Sequence, residues 1–124
     1  MHPAKTLTKA EEQVMRTLWR LESAFLKDVL DAMPPPQPHA NTVATILKIL
    51  IDKGFVNATT MGRNNLYAPS ISREAYSAQS LSQVVGNYFE GSYKTAVSFL
   101  VEKNQLSISD LELLLEQLKE KEEK

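Results

Sequence analysis

The chain has 124 residues and a mass of 13.9 kDa, is 43% hydrophobic and 23% charged, and carries a net charge of −1 with a pI of about 6.1. That size suits one globular domain, or a small domain with an oligomerising appendage. The absence of cysteine excludes a disulfide framework, a zinc-thiolate site and a thiol nucleophile.

No apolar run approaches the roughly 18 residues of a membrane span, and MHPAKTLTKAEE lacks the apolar core of a secretory signal. The expected compartment is the cytoplasm, without membrane insertion. Residues 1–70 carry eight Lys/Arg against six Asp/Glu, and residues 71–124 carry six against nine. A mildly basic front and an acidic rear suit one end facing a polyanion and the other facing protein.

Thr8 and Glu11 stand at capping-box spacing, and Val14, Leu18 and Leu21, widened by Met15 and Trp19, follow as an apolar stripe. The spacing predicts a first helix over 8–22, with Met15 and Trp19 as core residues. Leu26, Val29, Leu30 and Met33 predict a short second helix, ended by Pro34, Pro35 and Pro36. The PPPQPHA segment reads as a stiff extended spacer. Asn41 is a good N-cap and Gly54 a good terminator, so a third helix is expected over 41–53. Its periodicity gathers Val43, Ile46, Leu47 and Leu50 on one face and Asn41, Thr42, Thr45, Lys48 and Asp52 on the other, with Ile49 at the edge. Short hydrogen-bonding side chains beside a cation suit base edges and phosphate.

Residues 55–60 and 66–68 read as two strands, with MGRNN supplying the reversal and Arg63 at its tip. Three helices and a hairpin in this order predict a winged helix-turn-helix, whose third helix enters a groove while the hairpin touches the backbone. Arg63 and Lys48, with Lys5 and Lys9, are the candidate phosphate contacts.

The rest is helical. A helix beginning at 71–74 carries Leu81, Val84, Val85, Tyr88 and Phe89 until Gly91; a second starts at Ser92 and carries Val97, Leu100 and Val101. A third is signalled by Ser107 and Asp110 at capping-box spacing and by Leu106 and Leu111 at staple spacing. The resulting fold class is mainly α, with a winged helix-turn-helix over 1–70 and a helical dimerisation region over 71–124. Val84, Tyr88, Phe89, Leu100, Leu111, Leu114, Leu115 and Leu118 are the candidate dimer residues, since short helices with wide apolar faces need a partner and two-fold homodimers are the commonest source.

No glycine-rich phosphate loop or nucleophile elbow is present, and no enzyme activity, catalytic residue or cofactor is expected. His2 and His39 are far apart without clustered carboxylates, so no metal site is expected. Another class stays open: a winged-helix module that binds a protein and not DNA.

LTKAEEQVMRTLW at 7–19, NTVATILKILIDKGFV at 41–56 and GSYKTAVSFLVEKNQLSISDLELLLEQL at 91–118 together resemble the penicillinase and methicillin-resistance repressors of the BlaI/MecI/CopY type, in the same order across residues 6–120. The resemblance implies a homodimeric transcriptional repressor on a dyad-symmetric double-stranded operator. Among β-lactam-responsive members, release follows cleavage in the C-terminal region, triggered by a membrane-bound sensor. The copper-responsive mode needs a cysteine cluster that this chain lacks. By the resemblance, Asn41, Thr42 and Thr45 are reading-helix contacts. Ile49 departs from the pattern, standing where relatives place an arginine; contact with a thymine methyl and packing on the wing are both open to it. Lys48 points about 100° away around the helix, toward phosphate. The scissile asparagine–phenylalanine pair of relatives falls on Ser98 and Phe99, so serine replaces asparagine.

Overall fold

Helix α1 (Lys9–Leu21) starts where the sequence places its cap: the Thr8 N–H donates to Glu11 Oε1 at 3.0 Å and the Glu11 N–H to Thr8 Oγ1 at 3.2 Å. The computed structural model describes residues 6–122. Val14, Met15 and Leu18 are fully buried along α1. Helix α2 (Leu26–Ala32) follows after a short bend at Glu22–Ser23, its start held by the Phe25 N–H donating to Asp28 Oδ2 at 3.1 Å.

Helix α3 (Ala40–Asp52) begins earlier than the periodicity predicts. His39 is the N-cap, because its carbonyl accepts the first intrahelical bond from the Val43 N–H at 3.1 Å; its side chain makes no capping bond. Asn41 therefore lies in the first turn and not at the cap, which leaves its amide free of that duty. Val43, Leu47 and Leu50 are fully buried and anchor α3 on α1 and α2.

The exit from α3 is equally local in origin. The Gly54 N–H donates to the Ile51 carbonyl at 3.0 Å and the Phe55 N–H to the Leu50 carbonyl at 2.9 Å, with Gly54 at φ 86. These are the paired bonds of a Schellman ending, and Phe55 and Leu50 supply its apolar contact from within the core.

Strands β1 (Val56–Met61) and β2 (Asn64–Pro69) pair antiparallel from Val56 opposite Pro69 to Met61 opposite Asn64. The reversal is thus only Gly62-Arg63, with φ positive at Gly62 alone of the two. That pattern suits a two-residue turn led by glycine, so Asn64 and Asn65 belong to the ladder and not to the turn. A further pairing joins Ala24 to Tyr67, through bonds of 2.9 and 2.8 Å. It ties the segment between α1 and α2 to the free side of β2.

Helix α4 (Arg73–Tyr88) starts after Ile71, with the Ser72 hydroxyl accepting the Ala75 N–H at 3.0 Å. Tyr76 packs against Trp19 and Phe55 at ring-centroid distances of 6.0 and 5.7 Å, and its hydroxyl accepts the Leu7 N–H at 3.1 Å. Trp19 Nε1 donates to the Ile71 carbonyl at 2.9 Å. These contacts fasten the first half of α4 to the winged region, and the chain forms two compact units, residues 1–80 and 81–124.

The second unit contains the C-terminal half of α4, α5 (Tyr93–Glu102) and α6 (Ile108–Glu122). Ser92 caps α5 by accepting the Thr95 N–H at 3.1 Å, and Ser107 and Asp110 exchange two 3.0 Å bonds at the start of α6. Those Ser107 bonds hold the Asp110 carboxyl below its ordinary value. The Phe89 and Phe99 rings meet at a tilt of 58° with centroids 5.5 Å apart, and Val85 is buried.

Candidate nucleic-acid interface

The three buried aliphatic residues of α3 fix which side of the helix faces out. Asn41, Thr42, Thr45, Lys48, Ile49 and Asp52 are all exposed on that side. Thr45 is central, and its Oγ1 donates to the Asn41 carbonyl at 2.9 Å. Its proton is therefore committed to the helix, and outward it offers a methyl group and an oxygen that can only accept. Ile49 leaves 39% of its surface open, whereas Ile46 packs against the core.

Arg63 is exposed at the wing tip. Among the described residues, neither Arg63 nor Lys48 forms a salt bridge. Other cations are engaged: Arg16 lies 3.5 Å from Glu12, Arg20 donates to the Ala32 carbonyl at 2.8 Å, and Lys53 Nζ lies 2.7 Å from Glu11 Oε1. Burial opposes the charge on Glu11, but Lys53 and the Thr8 N–H outweigh it and hold its carboxyl below the usual glutamate value. Lys9 is exposed in the first turn of α1; Lys5 and His2 lie outside the described residues. His39 is exposed at the α3 cap.

A cleft of about 760 Å3 opens between the start of α2, Gln37-Pro38, the start of α3 and the wing. Lys27 and Arg63 line it with Asn64 and Asn65, and Asp28 and Asp31 lie on the α2 side. Lys27, Asn64 and Asn65 were not singled out by the sequence; no local pattern distinguishes them, because the cleft exists only once α2 and the hairpin are brought together.

In the second unit Val84, Tyr88, Leu100, Leu114, Leu115 and Leu118 are exposed, with Tyr88 at 77%, while Phe89 and Leu111 are half-buried. Ser98 and Phe99 are exposed in the middle of α5, with Lys103 Nζ 5.6 Å from the centre of the Phe99 ring. Among the described residues, no helix is long and apolar enough to cross a membrane.

The model of the penicillinase repressor family matches residues 7–120. The chain belongs to the penicillinase repressor family. The penicillinase repressor of Bacillus licheniformis is 26% identical to it over 115 residues, covering 92% of this chain and 90% of that protein. An uncharacterized 16.5 kDa protein of Latilactobacillus sakei is 29% identical over 116 residues, covering 90% and 77% respectively. The solution structure of the DNA-binding domain of the repressor BlaI superposes with a TM-score of 0.53 at 28% identity, covering 61% of this chain and 94% of that one. This member of the penicillinase repressor family therefore carries the family's winged-helix fold, with α3 and the β1–β2 wing as its third helix and hairpin.

Proposed function

We propose that this protein is a cytoplasmic, DNA-binding transcriptional repressor, acting as a homodimer on a dyad-symmetric operator. The observation that carries the reading is the two-sidedness of α3: Val43, Leu47 and Leu50 are sealed in the core, and Asn41, Thr42, Thr45 and Lys48 stand open opposite them. Such a helix can enter a major groove without exposing its anchor. The Asn41 amide can serve an adenine edge, Thr42 and Thr45 approach neighbouring bases, and Lys48 and Arg63 supply phosphate contacts. Lys9 and the cleft residue Lys27 add positive charge outside the reading helix.

The open apolar residues of the second unit support pairing with a second copy, which would bring a second reading helix to the other half-site. Release by a sensor-linked protease completes the reading. The Ser98–Phe99 bond lies inside α5, so such a protease would have to unwind part of that helix to reach an extended peptide.

Fluorescence anisotropy on duplex DNA at increasing salt tests the DNA-binding half. Affinity is expected to fall steeply with salt, and Arg63→Ala to weaken all sequences alike while reducing the salt slope by about one. Absence of binding at about 50 mM salt would favour a protein-interaction module.

A further inference from the structure

We infer that Ile49 reads the C5-methyl group of a thymine, making an apolar contact the discriminating feature of the reading helix. This rests on α3 being the helix that enters the major groove. Ile49 is 39% exposed at the edge of the outward face of α3, about 100° around the helix from the buried Leu50 and about 40° from the central Thr45. An open branched aliphatic gains nothing from solvent or phosphate, and its side chain can neither donate nor accept a hydrogen bond.

Its neighbours reinforce the choice. Thr45, one turn before Ile49, has spent its hydroxyl proton on the Asn41 carbonyl at 2.9 Å and has none left to donate to a base. The outward face of α3 includes no guanidinium that could take guanine O6 and N7 together, and its one cation, Lys48, is about 100° from Ile49. Among the groups that base pairs present in the major groove, the thymine methyl is the apolar one.

The test selects duplexes from a random pool with the full chain, then replaces each enriched thymine by deoxyuridine, which removes the methyl alone. At one position in each half-site the replacement is expected to weaken binding about fourfold, the worth of one buried methyl group. Ile49→Ala, a change at an exposed position, is expected to bind the thymine duplex at least about fourfold more weakly and to lose nothing further with deoxyuridine. An enriched site at which no deoxyuridine matters, or at which the penalty persists undiminished in Ile49→Ala, overturns the inference while leaving DNA binding intact. A pool that shows no enrichment at all overturns the DNA-reading role of α3 and the inference with it.

Discussion

In residues 1–80, Val14, Met15, Leu18, Val29, Val43, Leu47 and Leu50 are fully sealed from solvent, whereas in residues 81–124 Leu81, Val84, Tyr88, Leu114, Leu115 and Leu118 each leave more than two fifths of their surface open. Both units contain helices started by side-chain caps, Thr8–Glu11 in one and Ser92 and Ser107–Asp110 in the other, so local helix signals do not separate them. The difference lies in whether the helices find one another. In the first unit, α1, α2, α3 and the hairpin enclose a common core that Tyr76 closes. In the second, amphipathic helices remain only partly covered, as expected of a unit that pairs with a second copy in the proposed dimer.

The sharpest way to break that contrast is to damage each unit in turn. Leu47→Ala is expected to cost about 2–5 kcal/mol, since it deletes packed atoms from a fully buried site. Denaturant unfolding checks the value, and the loss should not depend on protein concentration. Leu114→Asp is expected to leave the first unit folded but shift the molecular mass in light scattering to that of a monomer. Its affinity for a two-half-site duplex should fall by about 100-fold or more, as the two reading helices cease to act together. Wild-type protein that is monomeric at micromolar concentration would remove the basis for the contrast.

Smaller effects sharpen the picture of the first unit. Gly54→Ala is expected to destabilise it by about 1–2 kcal/mol, because the φ of 86 at that position strains any L side chain even though open space surrounds it. The shift in thermal midpoint reports it. The mildest probe is pH. Glu11 is more acidic in the folded chain than in the unfolded one, so its contribution is complete above the unfolded value of about 4.5 and is lost as pH falls through the folded value. Glu11→Gln should flatten the acid limb of the stability curve; an unchanged limb would show that the Lys53 pair contributes nothing there.

What was legible in the sequence was what neighbouring residues decide among themselves. The Thr8–Glu11 and Ser107–Asp110 boxes, the Gly54 ending and the two faces of α3 all follow from spacings of a few residues. The Ala24–Tyr67 pairing, the Trp19–Ile71 bond and the Tyr76 clasp join residues far apart in the chain, and no periodicity announces them. For the candidate site, the exposed polar face of α3 was visible in the sequence, whereas the cleft beside it depends on how α2 meets the hairpin.

The measurement that bears most directly on the role of α3 compares wild type and Thr45→Ala on a bound duplex carrying every base substitution at each position in turn. Discrimination is expected to relax by about 1–3 kcal/mol at a single base pair of each half-site and to stay unchanged elsewhere. If the variant loses affinity equally on every duplex, or ranks them all as wild type does, Thr45 does not face the bases and the centre of the outward face of α3 is not the part that chooses the sequence.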